Sequence, residues 1–241
     1  MVVGDADLTV PATLIGDPSR AAMLDALLSG CALAAGELAR VAGIGRPAAS
    51  EHLRRLLDGG LVAAERQGRH RYYRLAGAAV AEALEALAHI APMRPTRSLR
   101  QSAAAASLQF ARTCYDHLAG AAGVAVLDAQ LASGWLRSAD GGYDVTARGA
   151  AAFGVLGVDV DAARAARRTF ARPCLDSTER RWHLAGSLAA ATTARLLELG
   201  WFVRRTGDGR GLLLTEAGRR GLGDTLGCDL GRPTVSAASS R

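Results

Sequence analysis

Residues 46–75 read RPAASEHLRRLLDGGLVAAERQGRHRYYRL, and the apolar period changes partway along them. From Arg46 to Asp58 the leucines Leu53, Leu56 and Leu57 recur at helical spacing and point inward. That leaves Arg46, Ser50, Arg54 and Arg55 for solvent or a ligand. Pro47 lies near the start of this helix, and Gly59-Gly60 stops it. From Leu61 to Leu75 the period is two, which predicts two short strands around a turn at Gln67-Gly68. Tyr72 and Tyr73 alternate there, so one packs inward and the other outward, as in any hairpin.

The flanks complete the pattern. Residues 17–30, DPSRAAMLDALLSG, predict a helix with Asp17 as N-cap, Pro18 at the first position and Gly30 at the end. Residues 35–45 predict a short helix closed by glycines. Residues 76–90 predict another, with Val80, Leu84, Leu87 and Ile90 on one face. Charge is localised as well. Residues 46–74 carry seven arginines and three acids, against a net −3 over residues 1–45 and −2 over residues 75–92. A basic segment between acidic flanks is the footprint of a phosphate-backbone binder, although a solvated arginine face has the same composition.

Composition narrows the rest. The chain has 241 residues, enough for one large domain or two small ones. Its 51 alanines point to close helix packing. All 29 basic residues are arginine. No run of about 18 apolar residues is present, so no membrane span is expected. The start, MVVGDADLTV, lacks a basic region followed by an apolar one, so the expected location is cytoplasmic. Cys31, Cys114, Cys174 and Cys228 are scattered without a CxxC pair, which argues against a disulfide framework or a zinc ribbon.

Helix, helix, helix, hairpin, helix, with the basic patch on the third helix and the hairpin, is the pattern of a winged helix-turn-helix. The small residues Ala48 and Ala49 let a helix approach a DNA groove. Ser50, His52, Arg54 and Arg55 reach base edges or phosphates from it, with Arg46 at the helix start. His52 reads equally as a packed or solvent histidine. Arg66, Arg69, His70 and Arg71 flank the glycine turn and can straddle a phosphate backbone. The segments Asp17-Pro18-x-Arg20, Gly36-Glu37-Leu38-Ala39, Ala49-Ser50-x-His52-Leu53-x-x-Leu56, Gly60-Leu61-Val62 and Gly68-Arg69-x-Arg71-Tyr72-Tyr73-x-Leu75 carry a resemblance. Over about residues 11–90 the chain resembles the ArsR/SmtB family of bacterial transcriptional repressors. The resemblance implies a homodimer on a palindromic operator, with residues 10–15 and 80–90 pairing across a two-fold. Family metal sites use either a two-cysteine box before the recognition helix or Asp and His after the wing. Residues 35–45 hold no cysteine, and Glu82, Glu85 and His89 make no matching pair, so both sites are expected to be absent.

The second half contains an internal repeat. Phe110-Ala111-Arg112-x-Cys114 recurs as Phe170-Ala171-Arg172-x-Cys174, and His117-Leu118-Ala119-Gly120 as His183-Leu184-Ala185-Gly186. Gly134-Trp135, Thr146-x-x-Gly149 and Leu156-Gly157-x-Asp159 recur in the same order. Each copy is predicted as helix, helix, short hairpin, helix. If the copies pack about a pseudo-two-fold, Cys114, Asp116 and His117 converge with Cys174, Asp176 and His183. Thiolate, imidazole and carboxylate suit a soft or borderline metal, and a dithiol suits a trivalent arsenical. The same residues would also serve as a thiol switch, or recur only because both copies pack alike. No phosphate loop, nucleophile elbow or HExxH is present, so a hydrolase has only the paired Asp and His in its favour and no enzyme is expected.

The sequence therefore predicts a mainly α chain with short β-hairpins (α+β). Residues 1–92 form a winged helix-turn-helix for DNA binding and dimerisation, 93–105 a linker, 106–231 a two-repeat sensor domain and 232–241 a tail. The expected function is a dimeric repressor released from operator DNA by a small effector, with a metal or metalloid ion as one candidate. The alternatives are a redox-sensing regulator or a non-sensing interaction protein.

Overall fold

A computed structural model describes residues 5–68, 70–92, 98–205 and 209–231. The tail at 232–241, Arg69 and the first part of the expected linker lie outside the described residues. The chain divides into two units, residues 1–88 and 89–241. No helix among the described residues is long and apolar enough to cross a membrane.

The first unit begins with α1 (Thr9–Ile15) and α2 (Pro18–Leu27). Asp17 caps α2 by accepting from the Arg20 amide at 2.9 Å, and Pro18 takes the first position, where no amide is needed. The buried Arg20 guanidinium donates to the carbonyls of Leu14 (2.6 Å) and Thr13 (2.8 Å), fastening the end of α1 to α2. Next come β1 (Leu33–Ala34) and α3 (Ala35–Ala42), whose Glu37 accepts from the Ala34 amide at 2.8 Å. Then follow α4 (Arg46–Asp58), β2 (Val62–Gln67), β3 (His70–Leu75) and α5 (Ala78–Ile90). The strands form an antiparallel sheet in the order β1-β3-β2, with Val62 opposite Leu75 and Gln67 opposite His70. Met23, Leu24, Leu27, Leu38, Leu53, Leu56 and Leu75 are the fully buried core. Tyr73 is the inward tyrosine and Tyr72 is half-buried. Leu84 also lies within this core, while Leu87 stays exposed.

The second unit departs from expectation at its start. Residues 99–105, predicted as linker, are the first turns of α6 (Leu99–Phe110). Ser98 caps it by accepting from the Gln101 amide at 3.2 Å, and the run Ala103–Ala106 has the highest helix propensity of any residue. The first copy then runs β4 (Arg112–Cys114), β5 (His117–Ala119), α7 (Ala121–Ala132), β6 (Leu136–Ala139), β7 (Gly142–Val145), α8 (Ala147–Leu156). The second runs α9 (Val160–Ala165), β8 (Arg172–Leu175), β9 (Trp182–Ala185), α10 (Ser187–Glu198), β10 (Phe202–Arg204), β11 (Leu212–Leu214), α11 (Glu216–Leu226). Each copy is thus helix, hairpin, helix, hairpin, helix. The repeated Phe-Ala-Arg-x-Cys and His-Leu-Ala-Gly segments form antiparallel strands rather than the predicted helix. The glycine ending each pair explains this. Gly120 (φ 78°) and Gly186 (φ 101°) adopt backbone forbidden to other residues, and a Cβ would strike the Phe110 or Phe170 carbonyl. Here strand gives way to helix, with α7 and α10 starting immediately after.

Among the described residues one glycine stop leads into a hairpin three times. At the ends of α4, α7 and α10 the chain turns through Gly60 (φ 68°), Gly134 (φ 68°) and Gly200 (φ 66°). The next amide donates to the carbonyl five residues back: Leu61 to Leu56 at 3.0 Å, Trp135 to Gln130 at 2.8 Å, Trp201 to Leu196 at 2.9 Å. This is a Schellman-type stop, and a hairpin and a further helix follow each time. In the first unit α4 leaves much of its surface exposed. In the second, α7 and α10 bury most of theirs against the hairpins.

Gln130 on α7 is 1% exposed, and neither end of its amide has a hydrogen-bond partner among the described residues. The matching position of the second copy is Leu196, fully buried. Gln130→Leu removes an unsatisfied buried amide at nearly constant volume, and is expected to stabilise the chain by about 1–3 kcal/mol. A thermal melt reads this directly, and a lowered midpoint would contradict it.

Candidate nucleic-acid interface and metal centre

The outward face of α4 is built from short residues and arginines. Arg46, Pro47, Ala48 and Ser50 are exposed, and the Ser50 hydroxyl donates to the Arg46 carbonyl at 3.0 Å. Further along, Arg54 grips Glu51 with two nitrogens (3.0 and 2.7 Å) and Asp58 with a third contact at 2.9 Å. Arg55 donates to the same Glu51 at 2.9 Å. These hydrogen bonds hold the Glu51 carboxyl down at about 2, so it is ionised at neutral pH. His52 is not on this face. It turns toward α2, with Nδ1 3.4 Å from Arg20 and 3.7 Å from Asp17. Its helix position lies between the buried Ala49, Leu53 and Leu56, which is why it packs rather than projects.

The wing differs. Arg66 and Arg71 are register partners across β2 and β3, both exposed, and neither has a carboxylate partner among the described residues. Like charges directly opposite destabilise a hairpin, and an anion between them relieves that repulsion. Arg71 lies 5.5 Å over the Tyr73 ring, which holds it in place. His70 is exposed beside the Gly68 turn.

In the second unit the two copies bring four donors together. Cys114 and His117 are register partners across β4 and β5, joined by the two-residue turn Tyr115-Asp116. Cys174 and His183 are register partners across β8 and β9. One ligand atom from each of the four lies within 4.8 Å of all the others, and all four residues are buried. The imidazoles stack with centroids 5.1 Å apart, and their Nε2 atoms are 3.2 Å apart.

Residues 15–64 match the family model described as a helix-turn-helix domain. Over 207 residues the chain is 44% identical to the HTH-type transcriptional regulator YdfF of Bacillus subtilis (strain 168), covering 86% of this chain and 91% of that protein. The chain belongs to the helix-turn-helix transcriptional regulators. An alignment of that length takes in much of the second unit as well. Solved structures are similar to a smaller part. The transcriptional repressor BigR from Xylella fastidiosa is 28% identical, over 36% of this chain and 88% of its own, with a TM-score of 0.33. The cadmium metal-sensor CMTR from Mycobacterium tuberculosis is 33% identical, over 39% of this chain and 100% of its own, with a TM-score of 0.31.

In this regulator the two aspartates predicted as ligands are committed elsewhere. Asp116 takes an ion pair from Arg168, and its Oδ1 lies 3.3 Å from Nδ1 of His117. Asp176 accepts from Arg112 (2.8 Å), the Gly120 amide (2.7 Å), the Thr178 hydroxyl (2.7 Å) and the Thr178 and Glu179 amides (2.9 and 3.0 Å). Burial opposes its ionisation, but Arg112 and these donors outweigh it and hold the carboxyl well below the usual range. The donor set is therefore two cysteines and two histidines, with the carboxylates behind it. Cys174 receives a hydrogen bond from Cys114; burial opposes the thiolate, but His117 and His183 add to the Cys114 bond and keep Cys174 far below the usual thiol range. Burial also lowers His183, disfavouring its imidazolium form. Thiolate and neutral imidazole are the forms that ligate metals. Arg112 was missed at the sequence level, although its recurrence in Phe-Ala-Arg-x-Cys was a signal.

Asp176→Asn leaves the buried Arg112 uncompensated, and is expected to cost about 3–5 kcal/mol of stability. The folded carboxyl lies below its unfolded value, so its contribution is complete above about pH 4 and is lost as pH falls through the folded value. Urea unfolding from pH 7 down to 2 should therefore fall away more steeply in the parent than in Asp176→Asn. Parallel profiles would remove Asp176 from this role.

Proposed function

We propose that this regulator is a homodimeric repressor. It binds a palindromic operator through α4 and the β2–β3 wing, and is released by an effector bound in the second unit. The facing Arg66 and Arg71, exposed and without carboxylate partners among the described residues, carry the DNA-binding part of this reading. Arg46 and Ser50 stand at the groove, and Arg54 and Arg55 reach phosphate by exchanging Glu51 for it. His70 contacts the backbone from the wing, and Arg69 is proposed alongside it on sequence alone. Dimerisation is supported by apolar side chains left exposed on the first unit: Leu8, Val10 and Leu87. The buried Cys114–His117–Cys174–His183 cluster supports an effector site in the second unit.

Arg66→Ala with Arg71→Ala should weaken operator binding at all sequences and reduce its salt dependence by about two counterions, measured by fluorescence anisotropy across a salt series. Glu51→Ala should act oppositely, tightening binding by releasing Arg54 and Arg55 and removing a charge that repels phosphate. Unchanged affinity in both variants would place the interface elsewhere. Leu84 is buried within its own unit, so the dimer is tested at the exposed Leu87. Leu87→Asp should sediment as a folded monomer, and a monomeric parent at micromolar concentration would reject dimerisation.

A further inference from the structure

We infer that Cys114, His117, Cys174 and His183 form a closed, four-coordinate centre for a divalent cation of the zinc class, cross-linking the two copies of the repeat. As a regulatory centre it rests on the proposed effector role of the second unit; as a binding site it does not.

Four observations carry it. The first is distance. A tetrahedral zinc ion places nitrogen ligands about 3.3 Å and sulfur ligands about 3.8 Å from one another, given bonds of about 2.0–2.3 Å. The two Nε2 atoms are 3.2 Å apart, and all four donors lie within 4.8 Å. These side chains are already gathered around one point.

The second is orientation. Asp116 lies 3.3 Å from Nδ1 of His117, and Asp176 lies 3.8 Å from Nδ1 of His183. The carboxylate at Nδ1 of His117 favours the proton there and leaves Nε2 as the lone pair, as in metal-bound histidines. Nδ1 of His183 has no hydrogen-bond partner among the described residues, Asp176 lying beyond hydrogen-bond distance, and its Nε2 is in hydrogen-bond contact with Nε2 of His117. A shared cation takes the place of that contact.

The third is charge. Both nearby carboxylates are already balanced, Asp176 by Arg112 and Asp116 by Arg168. Cysteines ligate a metal as thiolates, so two of them carry −2 in the bound centre. A divalent ion cancels that charge, whereas a monovalent ion leaves −1. The thiol proton still on Cys114 leaves to solvent when the ion binds.

The fourth is ligand chemistry. Two sulfurs and two nitrogens exclude magnesium and calcium, which take oxygen ligands. An arsenic(III) compound would use the sulfurs and leave both imidazoles idle. All four ligands come from the protein and none exceeds 8% exposure, so no position is left for substrate. The centre therefore holds the copies together and performs no hydrolysis.

The test uses the full chain, reduced and stripped with a chelator, then titrated with cobalt(II) and afterwards zinc(II). One cobalt per chain is expected, with a thiolate-to-cobalt charge-transfer band, tetrahedral d–d bands, and displacement by zinc. Cys174→Ser and His117→Gln should each weaken binding at least roughly tenfold with unchanged far-ultraviolet circular dichroism, while Cys31→Ser changes nothing. Octahedral cobalt without a charge-transfer band would overturn the centre. So would arsenite that displaces cobalt and binds His117→Gln as tightly as the parent, which marks a dithiol site. Stripped and zinc-loaded protein should then differ in operator affinity, on the order of 5–150-fold. Zinc bound as described with no change in operator affinity keeps the centre and defeats the effector reading. An operator response to zinc whose midpoint is unchanged in Cys174→Ser, despite its weakened binding at the centre, overturns the regulatory assignment.

Discussion

Asp176 is the residue on which the second unit is assembled. Its carboxylate is fully buried, yet it accepts hydrogen bonds from the Arg112 guanidinium, the Gly120 amide and its own Thr178 and Glu179. Arg112 and Gly120 belong to the first copy and the rest to the second. A buried carboxylate costs several kcal/mol unless its oxygens are satisfied, so this arrangement admits little slack. Gly120 is where β5 becomes α7, and Arg112 begins β4. Fixing both against residue 176 fixes Cys114 and His117 on one side and Cys174, two residues away, on the other. The four-donor cluster follows from that constraint.

The three helix–hairpin–helix segments show how one local pattern serves different ends. The glycine stop, the hairpin and the following helix are the same at α4, α7 and α10. What differs is the surface of the helix before the stop. Helix α4 carries Arg46, Arg54 and Arg55 on a face with no apolar stripe, and that face stays in solvent. Helix α7, AAGVAVLDAQLA, has no basic residue and is apolar nearly all round, so it can only be buried. Local backbone chemistry repeats, and side-chain composition decides whether the unit faces a ligand or makes a core. Shared architecture therefore assigns no DNA contact to α7 or α10.

The sequence was legible where elements are long and bounded by glycine or proline. Helix α4 and the wing strands lie within a residue or so of the reading, because the period change and Gly59-Gly60 leave little choice. The short strands β4, β5, β8 and β9 were not legible. Three or four residues hold less than two periods of alternation, and the surrounding alanines read as helix whatever the tertiary pairing. The repeat nevertheless pointed to the four residues that the fold gathers, Cys114, His117, Cys174 and His183, which stand at matching positions of the two copies. It failed for Asp116 and Asp176, which also recur. Whether a carboxylate faces a ligand or an arginine depends on the neighbouring copy: Asp176 pairs with Arg112 and Asp116 with Arg168, each partner far away in sequence. His52 failed for a related reason: its face of α4 is set by packing on α2.

The electrostatics of the first unit divide its arginines into two kinds. Arg54 and Arg55 share the ionised Glu51, and Arg54 also holds Asp58, so much of the positive charge on that stretch is cancelled. Exposed pairs of this kind add little stability and exchange readily. A phosphate must displace a carboxylate to gain them, so each such contact returns less than a bare arginine would. Arg66 and Arg71 have no such competitor among the described residues and repel each other across the hairpin. For them a phosphate removes a repulsion instead of breaking an attraction. On the proposed DNA-binding reading, the long-range field comes mainly from the wing, and α4 contributes once Glu51 has been displaced at close range. The same reading implies weak binding to indifferent DNA, because the exchange returns little unless Arg46, Ser50 and the small face of α4 also fit the groove.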